Sequence, residues 1–157
     1  MAVAATEGPD RIFAALDELV QGEVGAIITS CTTVDLVTMT AERVYTNQPD
    51  AYPLMGTKEI IPNRWTQTVL DHGQTFIANS IDEIRQVFPD HETIRSLGCG
   101  SVINLPVGIA GQLLGTLNLL HEPGHFTPQR ARKAKELRMA AAIAFCALRL
   151  PTGPDQA

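Results

Sequence analysis

Apolar residues along the chain recur at helical spacing in some stretches and crowd together in others, and the two patterns predict helices and strands respectively. After Asp10 the residues Ile12, Phe13, Leu16, Leu19 and Val20 fall on one helical face, with Asp10 as the cap and Gly22 as the stop. Residues 24–30 and 36–45 are rich in Val, Ile, Thr and Tyr, which suit a pleated, half-buried surface. Two antiparallel strands are expected there, with Thr32, Thr33 and Asp35 between them. Residues 46–63 hold Pro49, Pro53, Gly56 and Pro62 and few apolar side chains, so the stretch is too broken for regular structure. Ordered loops of that length often carry function.

Pro62 suits a first helical turn, Trp65 and Val69 share a face at i and i+4, and Gly73 stands where a left-handed C-terminal residue belongs; a helix is expected over 63–72. Residues 74–78 form a short strand candidate. Ser80 and Glu83 make a capping box in front of Ile81, Ile84 and Val87, and that helix ends at Pro89. Asp90 is placed to cap a further turn or two through Ile94 and Leu97, before Gly98 and Gly100 break the chain. Residues 101–107 and 112–121 are the most continuously apolar runs and face each other across a turn at 108–111, which predicts a hairpin of central strands covered on both faces. Thr127 and Pro128 open the last helix, in which Leu137, Ala141, Ala144 and Leu148 make one apolar stripe while Arg130, Arg132, Lys133 and Lys135 face water. No repeat and no Gly/Ser linker divides the chain, so the expectation is one α+β domain over 10–150, with 151–157 as a flexible tail.

Composition narrows the function. Hydrophobic residues at 45% and charged residues at 18% of 157 are the balance of a chain with one packed core. A net charge of -5 opposes nucleic-acid backbones and anionic membrane surfaces, both of which need clustered positive charge. The basic run from Arg130 to Arg138 shares a helix with an apolar stripe and has no interleaved aromatics, so it reads as a solvated face. Cys31, Cys99 and Cys146 are odd in number and far apart, which argues against a disulfide framework or a zinc site and for a reducing compartment. With no basic leader before an apolar stretch, and no run near the ~20 apolar residues a bilayer requires, the expectation is a cytoplasmic protein, neither exported nor embedded.

The element order, the run Gly98-Cys-Gly-Ser-Val-Ile-Asn-Leu-Pro-Val107, then Leu114-Gly-Thr-Leu-Asn-Leu119 and Phe126-Thr127-Pro128 resemble a GAF domain from Asp10 to Leu150. Gly115 would let another element approach the central strand, and Pro106, lacking a donor, suits a place where ladder pairing is interrupted. The resemblance implies a PAS-related antiparallel sheet with the first and last helices on one face and a pocket on the other, walled by residues 45–65 and 79–97. It further implies a small-molecule sensor or regulatory module and a homodimer through the terminal helices, for which an exposed apolar stripe on the last helix would serve; no cofactor is expected.

Tyr45, Tyr52 and Trp65 are the large amphipathic rings, beside the polar Asn47, Asn63 and Arg64. The expected ligand-binding set is Tyr45, Tyr52, Arg64, Trp65, His91 and Glu92. Asp71, His72, Asp90, His91 and Glu92 would supply acid, base or metal-ligating groups, although helix capping and dipole complement also explain them. The alternative is a small enzyme in the same pocket, using Cys99, His91, Asp90 or Asp71 for thiol or proton-transfer chemistry. Some free-standing GAF proteins reduce free methionine sulfoxide, and Val87-Phe-Pro-Asp-His91 is similar to a segment there. The family's reactive cysteines, however, fall where this chain has Arg64, Trp65, Thr93 and Ile94, and Cys99 comes several residues late. No Cys-His pair marks a bilin attachment site. His121-Glu-Pro-Gly-His125 spells the H-E-x-x-H zincin motif, but Pro123-Gly124 forbids the helix that chemistry needs, so a turn and no metal are expected.

Overall fold

A computed structural model of the chain describes residues 8–151. The last six residues of the expected tail lie outside the described residues. Helix α1 (Pro9–Glu23) starts one residue before the expected cap: Gly8 occupies the N-cap and Pro9 the first turn, leaving Asp10 as an acidic residue beside the positive end of the helix dipole. It also runs past Gly22. The stop is Gly25, whose φ of 80° turns the chain left-handed while its N–H donates to Val20 O at 2.8 Å.

Strand β1 (Ile28–Asp35) lies later than expected, and Thr32 and Thr33 belong to it. Asp35 makes the turn: its Oδ1 accepts from the Val37 and Thr38 N–H groups at 2.8 and 3.2 Å. Those two bonds hold its carboxyl below the usual range. Strand β2 (Thr40–Thr46) follows, then the long loop, which contains one short edge strand, β3 (Lys58–Glu59). Asn63 caps α2 (Arg64–Thr66), whose last turn widens into a π-helical segment over Gln67–Asp71 before Gly73. Pro62 therefore stands outside the helix. Strand β4 (Phe76–Ala78), α3 (Ile81–Arg85) and α4 (His91–Ser96) follow. Strands β5 (Ser101–Ile109) and β6 (Gln112–His121) turn through Ala110 and Gly111, both at positive φ. The last helix is two, α5 (Pro128–Glu136) and α6 (Arg138–Ala147), joined at Leu137.

The six strands form one antiparallel sheet in the order β3-β2-β1-β6-β5-β4. Both strands of the hairpin are internal to it, as their continuous apolar character demands. Because strand side chains alternate, Ile103, Leu105, Val107, Leu117 and Leu119 point to one face, where they pack with Phe13, Leu16, Ala141, Ala144 and Phe145 of α1 and α6. Gly115 admits the last of these. A Cβ there would stand 2.2 Å from Thr32 O and 2.9 Å from the Phe145 ring. Pro106 sits where β4, which pairs with Val102 to Asn104 alone, no longer flanks β5.

The expected exposed stripe on the last helix is not exposed: Leu137, Ala141 and Ala144 are buried against the sheet. The apolar residues left in water are Met139, Ile143, Leu148 and Leu150. Small alanines at the inward positions let α6 lie close to the strands, and the larger side chains project away.

Candidate functional site

The opposite face of the sheet bears a second core built from the loop and the short helices, with Ile28, Val69, Phe76, Ile84, Ile94, Val102 and Leu120 buried in it. Between this core and β2 lies a cavity of about 330 Å³. Its floor is polar. Asn104 pairs with Asn118, and Asn118 with Ser30, so the register sets three polar side chains in a row across β5, β6 and β1. They are bonded in series: the Trp65 indole Nε1–H donates to Asn104 Oδ1 at 3.0 Å, and Asn104 Nδ2 to Asn118 Oδ1 at 2.8 Å. Asn118 Nδ2 then faces Ser30 Oγ and Thr32 Oγ1 at 3.3 and 3.2 Å. Buried amides and hydroxyls cost free energy unless bonded, and a satisfied chain of them fixes one arrangement of the floor.

The walls are aromatic and charged. Trp65 and Phe88 meet edge to face at 6.4 Å, and Phe88 meets Phe76 at 6.2 Å. Arg43, from β2, lays its guanidinium 3.7 Å over the Tyr52 ring and donates from Nη1 to Pro53 O at 2.7 Å. This straps the proline-rich loop to the sheet. The Arg43 Nε is buried and has no hydrogen-bond partner. Burial, and then the negative charge of Asp90, push the Tyr52 hydroxyl up to about 12, against the opposing pull of Arg43. Asp90, whose side chain makes no cap bond to α4, lines the cavity with Tyr52, Lys58 and Met55. Depressions of similar size occur elsewhere, one beside Thr33, Leu114 and Arg149. Among those of the described residues, the cavity over Asn118 alone joins a floor of buried polar strand residues to aromatic walls.

Of the residues expected to bind a ligand, the structure brings Tyr52 and Trp65 to the cavity, together with Asp90 from the acid-base set. Tyr45 is on the helix side, stacked on Phe13 with ring centroids 5.9 Å apart and donating to Asp17 Oδ2 at 2.9 Å. Burial, with that bond, raises its hydroxyl pKa. Arg64 is exposed, its guanidinium 6.0 Å from the Phe76 ring. His91 and Glu92 open α4 away from the cavity lining, and Asp71 is exposed at the end of the π-helical turn. Cys99 is buried among Ile94, Val102 and Leu120, and burial pushes its thiol up to about 11. Cys31 is fully buried beneath the sheet and raised further by burial, then by Asp17.

Sequence reasoning missed Arg43, Lys58, Asn104, Asn118 and the hydroxyls of Ser30, Thr32 and Thr116. A signal existed for two of them. Asn104 and Asn118 each interrupt an otherwise apolar central strand, where an amide fits poorly without a partner.

A second polar cluster lies at the turn after β6. The His121 and His125 rings are parallel, 5° apart in plane and 3.7 Å between centroids, with donor atoms of His121, Glu122 and His125 all within 4.8 Å of one another. The H-E-x-x-H letters are thus brought together by a turn, without the helix that a zincin requires.

With this geometry in view, the comparisons with known proteins place the chain: the GAF domain family model matches residues 10–145, so the chain belongs to the GAF domain family. Its fold is similar to the GAF domain of a two-component sensor histidine kinase from Bacillus halodurans, at TM-score 0.70 and 14% identity, covering 89% of this chain and 95% of that one. A GAF domain/HD domain protein from Geobacter sulfurreducens superposes at TM-score 0.73 and 12% identity, covering 93% and 97%. The free methionine-R-sulfoxide reductase from Neisseria meningitidis, solved with its substrate, superposes at TM-score 0.57 and 18% identity, covering 94% and 84%. No curated protein matches the chain. No helix among the described residues is long and apolar enough to cross a membrane.

Proposed function

We propose that the protein is a sensory or regulatory GAF module that takes a small molecule into the cavity over Asn118, in a cytoplasmic setting suited to its three free cysteines. The observation that carries this reading is the buried, partnerless Nε of Arg43 at the wall of a chamber whose floor is otherwise satisfied. A cation held against Tyr52, with Lys58 nearby, suits an anionic group. Trp65 and Phe88 suit a flat apolar part, and the Asn104–Asn118 row offers hydrogen bonds that orient it. Tyr52 and Trp65 are accordingly the binding residues kept from the sequence-based set. Met139, Ile143, Leu148 and Leu150, exposed on and just after α6, are the surface by which two copies would pair.

Catalysis by Cys99 has less support. A thiol raised by burial to about 11 is protonated at neutral pH, and thiol chemistry needs the thiolate.

Binding to the native state raises its stability by RT ln(1 + [L]/Kd), so thermal denaturation against small carboxylic acids, nucleotides, flavins and haem tests the proposal. A compound that raises Tm saturably, does so in Tyr45→Phe and fails to do so in Arg43→Met is the expected result. A panel without effect, or a shift that survives Arg43→Met unchanged, overturns it.

A further inference from the structure

We propose that the turn from His121 to His125 binds a divalent zinc ion through His121, Glu122 and His125, the last of which also reaches the end of α1. Two imidazoles and a carboxylate with an open fourth position form an established donor set for zinc, whereas calcium and magnesium prefer all-oxygen sites. Here the three donors lie within 4.8 Å.

The tautomer of His125 favours this role. Its Nε2 lies 2.9 Å from Val24 O and 3.2 Å from Gly25 O. Carbonyls only accept, so Nε2 carries the hydrogen and Nδ1 keeps its lone pair. An imidazole oriented by a bond from its second nitrogen to a backbone carbonyl is the usual support of a metal-ligating histidine. In His121 the lone pair is on Nδ1, which accepts from the Glu122 N–H at 2.8 Å. Metal would displace that amide, which belongs to an exposed residue and would turn to water.

The backbone beneath the donors is already fixed. Gly124 N–H donates to Asn79 O at 3.0 Å. The Asn79 side chain accepts from Phe126 N–H and donates to Phe126 O, both at 3.1 Å. Ser101 Oγ donates to Glu122 O at 2.7 Å. Pro123 packs so closely on Gly100 that a Cβ there would stand 2.4 Å from its ring. Little chain entropy would remain to be lost on binding. A tetrahedral centre with bonds of ~2.1 Å needs donors ~3.4 Å apart with lone pairs converging on the ion, so the half-exposed His121 ring must swing out of its parallel stack on His125 and the exposed Glu122 carboxylate must turn in. Arg130, whose Nη1 donates to His125 O at 3.0 Å, puts a like positive charge near the ion, which the Glu122 carboxylate offsets. The glutamate acts here as ligand, not as the base of a zincin.

Metal-free protein titrated with zinc chloride by calorimetry, with Tm recorded in parallel, tests the site. The expected outcome is one zinc per chain and a rise in Tm. His121→Gln should weaken binding more than about tenfold, because even the outer partners of zinc ligands are worth roughly 10–100-fold. Glu122→Gln should weaken it less, and a His72→Gln, His91→Gln double variant should bind as the parent does. Since His125 also anchors α1, His121→Gln carries the test. Absence of zinc binding, unchanged affinity in His121→Gln, or loss confined to the His72, His91 variant overturns the site.

Discussion

The two faces of the sheet are made from the same strands yet solve opposite problems. Toward the helices, β5 and β6 present Ile103, Leu105, Val107, Leu117 and Leu119 to Phe13, Phe145 and a row of alanines, and these side chains are buried against one another. Toward the loop, the alternate positions of those strands present Val102, Asn104, Thr116, Asn118 and Leu120, and a cavity of about 330 Å³ is left open. Period-two alternation lets one strand carry a stability surface and a recognition surface at once. The filled face holds the fold, and the polar face is free to carry amides that a solid core would exclude.

That contrast is most directly broken from the filled side. Phe145→Ala removes a ring that meets Phe13 at 5.7 Å and occupies the space left by Gly115. It should lower unfolding free energy by about 4 kcal/mol in urea denaturation. A loss under 1 kcal/mol would mean that the helix layer is not the stability face. Asn118→Leu on the open side should cost less, about 2 kcal/mol, chiefly from leaving the buried Asn104 and Ser30 short of a partner. It should nevertheless abolish any ligand-induced rise in Tm. Equal stability losses in the two variants would erase the distinction between the faces.

The smallest effect sharpens the comparison through pH. Tyr52 has a hydroxyl raised from an ordinary 10.0 to about 12 in the folded protein, so its neutral form is favoured by folding. Its contribution to stability is therefore complete below pH 10 and is lost as pH rises from 10 through 12. Urea denaturation over that interval should show a shallower decline for Tyr52→Phe than for the parent. An identical decline would place Tyr52 in water rather than against Asp90 and Arg43.

Much of the architecture was legible in the residues. The stripe Ile12-Phe13-Leu16-Val20, the capping pair Ser80 and Glu83, and the continuous apolar runs of β5 and β6 each name their structure locally. Local chemistry was also where the reading slipped. Gly22 and Gly25 are alike as letters, and only the chain path after α1 selects the second as the stop. Thr32 and Thr33 read as a turn between strands, but their β-branched side chains serve β1, and the Asp35 carboxylate closes the turn instead.

The candidate site was legible in part. Trp65 and Tyr52 stood out as rings near a broken loop, and both border the cavity. Tyr45 has the same chemistry, but the bulge in β2 that pairs Tyr45 with Cys31 and Arg43 with Thr32 breaks the alternation and delivers it to Phe13 and Asp17 on the other face. Arg43, on the near side of that bulge and facing the cavity, passed unnoticed among the polar residues of β2.

Composition, hydrophobic period and caps determined the class of the protein, the order of its elements and the hairpin inside its sheet, because those features depend on residues within a few positions of one another. Which polar residues share a chamber depended on the pairing of β1 with β6 across 88 positions of chain, as between Ser30 and Asn118. So did the approach of His125 to the end of α1, 101 positions earlier at Val24. Such meetings are set by strand register and packing, and a shift of one residue would send every side chain of a strand to the opposite face.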